Sequence, residues 1–200
     1  MHKGDLPDDV TFDGDIAVDT EAMGLNNQRD RLCVVQLSDG KGDQHLVQID
    51  RNTWRAPNLV KVLADPERVK IFHFARFDVA ILRQYLKVAV QPVYCTKIAS
   101  KLCRTYTDRH GLREICKELL GVDVSKQQQS SDWGADELTE DQKAYAASDV
   151  VHLHELRDKL NVMLEREGRK ALAENCFAFL PTRAILDLAG WPDIDIFAHS

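Results

Sequence analysis

The sequence contains no apolar run that approaches the ~18 residues needed to span a membrane. Its first residues, Met1-His2-Lys3-Gly4-Asp5, turn acidic where the apolar segment of a secretory signal would have to begin. Cys-x-x-Cys pairs are also missing, and an odd number of scattered cysteines indicates free thiols in a reducing cytoplasm and gives no support for zinc. These five cysteines are Cys33, Cys95, Cys103, Cys116 and Cys176. We therefore expect a cytoplasmic protein without a membrane partner.

Positive charge is scarce as well, because 26 Lys and Arg face 32 Asp and Glu, which gives a net charge of −6. This balance argues against a large basic surface that tracks a long nucleic acid. The charge is uneven, however: residues 95–129 carry seven basic and four acidic side chains, a local +3, so the remaining chain is −9. A short phosphate ligand that is bound locally fits this distribution better than a long duplex.

No low-complexity linker or internal repeat divides the 200 residues, so the length fits one domain preceded by an irregular lead-in over 1–13. Three apolar stretches separated by turn residues predict an antiparallel meander, and helices alternate with two shorter strands behind it. This order predicts an α/β fold with a mixed five-stranded sheet, the three-strand meander plus parallel strands, and helices on both faces. The predicted strands are residues 14–21, 31–38, 44–50, 69–74 and 93–94.

Helical spacing of apolar residues behind the meander predicts the remaining elements. The longest of these helices opens with Thr139-x-x-Gln142, which is the pattern of a capping box. The first expected helix begins near residue 57. The others cover 76–86, 96–102 and 112–120, then a long stretch that begins at 139, and finally 169–180 and 181–188.

Asp19 and Glu21 follow the apolar run Ile16-Ala17-Val18 at the end of the first predicted strand. Residues two apart in a strand point to the same face, so the two carboxylates would project together and Thr20 would turn the other way. Carboxylates this close repel each other unless a proton or a cation holds them, and a hard divalent cation prefers oxygen ligands. An isolated Asp-x-Glu pair is more often a solvated strand end.

Two further acidic positions change that interpretation. Asp78 lies in the first turn of the helix at 76–86, where an isolated aspartate is usually a cap or a dipole partner. Tyr145 and Asp149 are four residues apart and share one helix face. Together with Asp19 and Glu21, these carboxylates could hold two divalent ions about 3.5–4 Å apart, as in phosphodiester-cleaving sites. Tyr145 would stay protonated near neutral pH, and it would orient the attacking water or help to pass its proton rather than act as a strong base.

The order Asp19-x-Glu21, Asp78, Tyr145-x-x-x-Asp149 resembles the three motifs of the DEDDy class of 3′–5′ exonucleases. The stretches at 95–99, 111–112 and 125–133 resemble ribonuclease D. Residues 105–111 and the closing Gly190-Trp191 with 195–200 resemble the nano-RNase C group of its bacterial relatives.

The resemblance implies an RNase H-like fold and an exonuclease domain over 14–165. Residues 166–200 would be C-terminal helices and a tail that pack on the domain or on a neighbouring subunit. It implies two divalent ions, Mg²⁺ or Mn²⁺, held by the four carboxylates beside Tyr145. It also implies 3′–5′ hydrolysis of very short RNA, dinucleotides above all, and a ring-shaped homo-octamer. Short DNA is a possible further substrate.

Substrate contacts are expected around the acidic cluster and in the basic stretch. Leu25 stands where the Gly-Leu of oligoribonuclease-type enzymes places a leucine wedge between the last two bases; ordinary turn packing is the alternative. Trp133 could stack on a base or pack under its loop, and packing is slightly favoured. Each basic candidate could cap a 5′ phosphate or serve as a surface or inter-subunit group. The candidates for the 5′-phosphate cap are Arg104, Arg109, His110, Lys126 and Gln129. His73 could contact substrate or be a satisfied core histidine, and Met23 and Phe77 could be walls of the cleft or of the core. Thr20 is the remaining candidate.

Two other functions stay open at this point: a less selective exonuclease that trims longer RNA or DNA ends, and an inactive exonuclease-like domain that only binds nucleic acid or assembles. The sequence continues for only about fifty residues after Asp149, too few for the helical domains that follow the catalytic domain of ribonuclease D. With fewer phosphate contacts available, we expect a short substrate.

Overall fold

The computed structural model describes residues 1–125 and 127–199. Its strands are β1 (His2–Lys3), β2 (Ile16–Ala22), β3 (Leu32–Ser38), β4 (His45–Gln48), β5 (Lys70–Phe72) and β6 (Val93–Cys95). Its helices are α1 (Pro57–Ala64), α2 (Ala75–Leu86), α3 (Thr96–Cys103), α4 (Leu112–Leu120), α5 (Glu140–Val151), α6 (Leu153–Arg166) and α7 (Lys170–Leu188). No helix among these described residues is long and apolar enough to cross a membrane.

The sheet has the strand order β1-β4-β3-β2-β5-β6. The antiparallel meander β2-β3-β4 is confirmed, and β5 and β6 extend the sheet in parallel from β2. The strand number is six rather than five, because His2 and Lys3 pair in parallel with the outer edge of β4. This pairing involves main-chain atoms of two polar residues, so no apolar alternation in the sequence could reveal it.

Apolar side chains cover both faces of the meander. Val35 of β3 and its partner Val47 of β4 lie in the main core. Their neighbours Val34 and Leu46 point the other way, into a second cluster that contains Trp133 and Ala146 of α5. Because successive strand residues alternate between faces, this arrangement requires helices on both sides of the sheet, as the sequence predicted.

Two helix boundaries differ from the prediction. The long helix that begins with the Thr139–Gln142 capping box is interrupted at His152, which separates α5 from α6. The two segments predicted at 169–180 and 181–188 form the single helix α7, with Pro181 inside it. Proline removes one helical hydrogen bond, but buried residues on both sides of Pro181 keep the two halves packed on the same body of the protein. These buried residues are Ala173, Phe177, Leu180 and Ala184.

The C-terminal segment packs on its own chain through α7, which contacts α2, β6, α3 and α6. The tail that follows leaves Ile194, Ile196 and Phe197 exposed. The predicted domain limits at residues 13 and 165 stay predictions.

Lys70 is fully buried in β5 and holds two loops together. Its Nζ donates to the carbonyl oxygens of Asp65, Arg68 and Gln91 at 2.5, 2.6 and 2.7 Å. Burial lowers the pKa of Lys70 to about 8. The ammonium group therefore fixes the connections that lead into β5 and β6.

We expect Lys70→Met to lower the free energy of unfolding by about 3 kcal/mol, since buried carbonyls that lose their donor cost about 1–3 kcal/mol each. Urea unfolding at neutral pH without added metal measures this loss. Lys61→Met, at an exposed position of α1, is the matched control. Equal stability of the two variants would contradict the role of Lys70.

Candidate active site

The candidate site lies where the buried part of β2 ends. Ile16 and Ala17 pair with β5 on one side of the strand, and no described strand pairs with this edge from Val18 onward. On the other side, the register between β2 and β3 shifts just after Glu21. Irregularities of this kind are common beside active sites because they redirect side chains. The acidic residues thus stand on a rigid strand at an open edge of the sheet.

Three carboxylates meet at this place. One oxygen from each of Asp19, Glu21 and Asp149 lies within 4.8 Å of the other two. Asp19 and Glu21 share the face of β2 that α5 covers, and α5 supplies Asp149, which is 8% exposed. The structure therefore brings together the first and last acidic motifs, as the strand and helix spacings predicted.

Asp78 approaches the same strand from α2 and is outside this group of three. Thr20 Oγ1 donates a hydrogen bond of 2.6 Å to Asp78 Oδ1. Thr20 turns away from Asp19 and Glu21, as expected for the residue between them in a strand. Its hydroxyl orients the carboxylate of Asp78. The sequence had suggested a contact with substrate instead. The turn that leads into α2 uses Phe74 at φ 71° and ψ 43°, a left-handed conformation that bulky residues rarely adopt.

The pKa values of the four carboxylates show that their charged forms are unfavourable when no cation is bound. Burial raises the pKa of Asp19 to about 7, and burial followed by the charge of Asp19 raises that of Asp149 to about 8. Burial and then the charges of Asp19, Asp149 and Asp78 raise the pKa of Glu21 to about 10. The pKa of Asp78 is also raised, by burial and then by Asp19. Converging carboxylates that bind protons this readily are suitable ligands for a hard divalent cation. Such a cation would replace the protons when it binds.

Tyr145 lies one helical turn before Asp149 on α5. Its phenol lies near the carboxylates of Asp149, Glu21 and Asp19. Its ring packs at a tilt against Trp133 with 6.1 Å between centroids. Burial and the neighbouring carboxylates raise the pKa of Tyr145 above its ordinary value. The phenol therefore stays neutral at physiological pH, which agrees with an orienting role and speaks against a strong base.

Two apolar side chains that follow β2 are presented to solvent. Leu25 is 89% exposed and Met23 is 49% exposed. Met23 lies against Gly134, since a Cβ on that glycine would come within 2.4 Å of the Met23 sulfur. Arg31 Nη2 also donates to the carbonyl oxygen of Gly134 at 2.9 Å. The loop after Trp133 thus borders the loop that carries Leu25.

The other substrate candidates have mixed surroundings. His73 and Phe77 are half-buried, and His73 Nδ1 is 2.9 Å from Thr96 Oγ1. Arg109 and Gln129 are exposed, and His110 Nδ1 lies 2.9 Å from Ser100 Oγ. Lys126 lies outside the described residues. The substrate roles of these residues stay predictions.

Two of the substrate assignments need correction, because the side chains are buried. Arg104 is fully enclosed and donates to Ser100 Oγ, to the carbonyl oxygen of Arg109 and to the carboxylate of Glu118. Trp133 is 2% exposed and packs in the second core cluster, the alternative that the sequence slightly favoured. Both residues support loops and have no free surface for a substrate in this structure.

Sequence reasoning missed one polar neighbour of the acidic cluster. Gln36 is the cross-strand partner of Asp19 and is fully buried. Neither polar atom of its side chain has a hydrogen-bond partner among the described residues. The available signal was a single amide within the apolar stretch 31–38, but its position opposite Asp19 depends on the register of two strands.

Comparisons of this chain with known proteins give matches to a family and to curated relatives. The family described as 3′-5′ exonuclease matches residues 7–165. Ribonuclease D of Gluconacetobacter diazotrophicus is 35% identical over 159 residues, which cover 77% of this chain and 39% of that protein. The chain spans 39% to 42% of the length of five curated ribonuclease D relatives that it matches.

Solved structures match over the full chain. NrnC of Brucella melitensis with bound Mg²⁺ is 57% identical with a TM-score of 0.93, covering 100% of this chain and 98% of that one. The same protein bound to pGG is 58% identical with a TM-score of 0.94, covering 100% and 97%. RNase D of Escherichia coli is 30% identical with a TM-score of 0.72, covering 84% of this chain and 44% of that one. The RNase H-like fold expected from the sequence is confirmed by these ribonuclease D-like neighbours.

Protons and divalent cations should compete for the acidic cluster. The raised pKa values mean that the native protein binds more protons than the unfolded chain between pH about 4 and about 10. The contribution of these carboxylates to metal-free stability therefore falls as pH rises across this range. Cation binding needs the deprotonated carboxylates, so we expect Mg²⁺ or Mn²⁺ to raise the melting temperature more at pH about 8 than at about 6.

Thermal unfolding with and without each cation at the two pH values measures this effect, and calorimetry in two buffers detects the released protons. Asp19→Asn with Asp149→Asn is the control, in which the cation effect should largely disappear. An equal gain at both pH values without proton release would show that the cation does not bind this cluster.

Proposed function

Since this chain belongs to the 3′-5′ exonuclease family and is a hydrolase of the ribonuclease D and NrnC type, we propose that it degrades very short RNA. In this proposal, dinucleotides are the preferred substrates and nucleoside monophosphates the products. The observation that carries the proposal is the convergence of Asp19, Glu21 and Asp149 within 4.8 Å, with Asp78 beside them. Their protons must be replaced before the site can act on a negatively charged phosphodiester.

We propose that Asp19, Glu21, Asp78 and Asp149 hold two divalent ions, Mg²⁺ or Mn²⁺. Such ions, when bound, polarise a phosphodiester and neutralise the charge that develops during hydrolysis. The four carboxylates stand on β2, α2 and α5, so their positions are set by rigid elements. Thr20 orients Asp78 through its hydroxyl. Tyr145 stands one helical turn before Asp149 on α5, with its phenol near this carboxylate.

The role we propose for Tyr145 is to direct the attacking water with a neutral hydroxyl. Burial is the first cause of its raised pKa, and in this proposal the phenol keeps its proton and donates a hydrogen bond to the water. The packing of its ring against Trp133 fixes the direction of the hydroxyl. Trp133 thereby serves the site through Tyr145 and without touching substrate.

A short substrate is supported by charge and by the exposed side chains after β2. The chain has a net charge of −6. It therefore has little basic surface to contact the phosphates of a long RNA. Leu25 and Met23 offer apolar surface to bases directly beyond the acidic strand. NrnC of Brucella melitensis has been solved with pGG bound, and this chain is 58% identical to it. The further residues proposed to contact substrate are His73, Phe77, Arg109, His110, Lys126 and Gln129.

We also propose assembly into a ring-shaped homo-octamer, with catalysis carried by residues 14–165. The exposed apolar residues Ile194, Ile196 and Phe197 in the tail provide surface that a neighbouring subunit could cover. Short DNA fits the same carboxylate chemistry and remains a proposed secondary substrate.

Substrate length is tested with a ladder of 5′-phosphorylated oligoribonucleotides from two to ten nucleotides. We expect kcat/KM for the dinucleotide to exceed that for the longest member by about tenfold or more, since a preferred length reflects contacts made in the transition state. A flat profile would instead indicate an exonuclease that trims RNA ends without regard to length. Absence of turnover in Mg²⁺ and Mn²⁺ would indicate the inactive domain.

Tyr145→Phe should lower kcat by about a hundredfold or more, because the attacking water would lose its orienting hydroxyl and a misplacement of about 1 Å can cost this much. The phenyl ring still packs against Trp133, so the melting temperature and the affinity for Mn²⁺ should change little. Tyr85→Phe, a tyrosine that packs against Trp54 with 4.6 Å between ring centroids, is the matched control. A Tyr145→Phe variant with wild-type kcat would rule out the orienting role.

A further inference from the structure

The loop between β2 and β3 exposes a leucine and yet is strongly braced. Leu25 has 89% of its surface in solvent, the largest exposed fraction among the large apolar side chains described. An apolar side chain at the tip of a loop gains little from a fixed position in the free protein. The hydrogen bonds around it therefore point to a function of this conformation in binding.

Asn26 forms the first part of the brace. Its side-chain Oδ1 accepts hydrogen bonds from the backbone N–H groups of Gln28 and Arg29 at 3.0 and 3.1 Å. Its carbonyl oxygen accepts from the N–H groups of Arg29 and Asp30 at 3.1 and 2.7 Å. Gln28 Nε2 also donates to the carbonyl oxygen of Leu188 at 2.8 Å, which ties the loop to the end of α7.

Asp30 closes the loop from the other side. Its Oδ2 accepts the N–H of Asn26 at 3.0 Å, and Arg29 donates through Nε and Nη2 at 2.6 and 2.9 Å. Its carboxylate lies directly against Gly24, because a Cβ on that glycine would come within 2.3 Å of Oδ2. Asp30 therefore touches the residues on both sides of Leu25 and is itself only 8% exposed.

The carboxylate of Asp30 remains charged at physiological pH. The hydrogen bond from Arg29, followed by that from the Asn26 backbone, lowers the pKa of Asp30 to about 2. Charged acceptors form stronger hydrogen bonds to backbone N–H groups than neutral ones do. Gly24 contributes the other half of this contact, since any side chain at its position would displace the carboxylate.

We infer that Asp30 is a positioning residue for substrate recognition, which holds Leu25 in the orientation that contacts the bases of a bound dinucleotide. This inference rests on the proposed function of the site. An unbraced loop would have to lose conformational freedom when substrate binds, which weakens binding without changing the chemical step. Asp30 should therefore affect KM through Leu25 and leave kcat and cation binding unchanged.

A double-mutant cycle tests this coupling. Asp30→Ala should raise KM for a 5′-phosphorylated dinucleotide about fivefold, and Asp30→Asn by a smaller factor because its amide oxygen can still accept from Asn26. Both variants should keep kcat within about twofold and leave the affinity for Mn²⁺ unchanged. In a Leu25→Ala background, which raises KM by itself, the additional effect of Asp30→Ala should disappear.

Asp39→Ala is the matched control, because Asp39 accepts the N–H groups of Lys41 and Asp13 at 3.0 and 3.1 Å in the loop after β3. This variant should keep the wild-type KM. If Asp30→Ala does not fold, the cycle is run with Asp30→Asn.

The positioning role is wrong if the Asp30 variants raise KM equally with and without Leu25, or if they reduce kcat and Mn²⁺ affinity together with KM. A Leu25→Ala variant with wild-type KM has a different meaning. It would remove the proposed contact between Leu25 and the bases, and the role of Asp30 would fall with it. The assignment of the four clustered carboxylates as cation ligands would then be tested by the cation measurements alone.

Discussion

The convergence of carboxylates at the edge of the core is the constraint on which the rest of this structure depends. Asp19, Glu21 and Asp149 converge within 4.8 Å. Their pKa values are raised first by burial and then, for Glu21 and Asp149, by the charges of their acidic neighbours. Flexible side chains on loops would separate to relieve this repulsion. Here the carboxylates stand on a central strand and a packed helix, so the stability of the core holds them in place. Cation binding then becomes the favourable way to neutralise the cluster.

The approach of α2 depends on how the sheet ends. β5 pairs with β2 at Ile16 and Ala17 and stops at Phe72, which leaves the next part of β2 accessible from the side. The left-handed turn at Phe74 starts α2 there, and Asp78 reaches the hydroxyl of Thr20. Strained residues persist where the surrounding structure demands them, and they concentrate near functional sites. The end of β5 and the turn at Phe74 therefore place Asp78, the fourth carboxylate, beside β2.

Side chains around the site divide into those that support it and those that face solvent. Arg104 and Trp133 have the chemistry of substrate contacts, but both are enclosed by the loops that they stabilise. Leu25, in contrast, is an apolar residue left in solvent on a loop that Asn26 and Asp30 brace. Residue type alone does not separate these cases, because the same guanidinium or indole can bind a ligand or fill the interior.

Much of the fold and the acidic site followed from local patterns. The period-two spacing of Asp19 and Glu21 and the period-four spacing of Tyr145 and Asp149 are short-range properties of a strand and a helix, so the sequence determined them. The meander and the capping box at Thr139 are local in the same sense. Contacts between distant segments were decided only by the tertiary structure: the pairing of His2 with β4, the bond from Thr20 to Asp78, the position of Gln36 opposite Asp19, and the burial of Arg104 and Trp133. Register and packing between elements set these contacts, and a residue's neighbours along the chain carry no information about either.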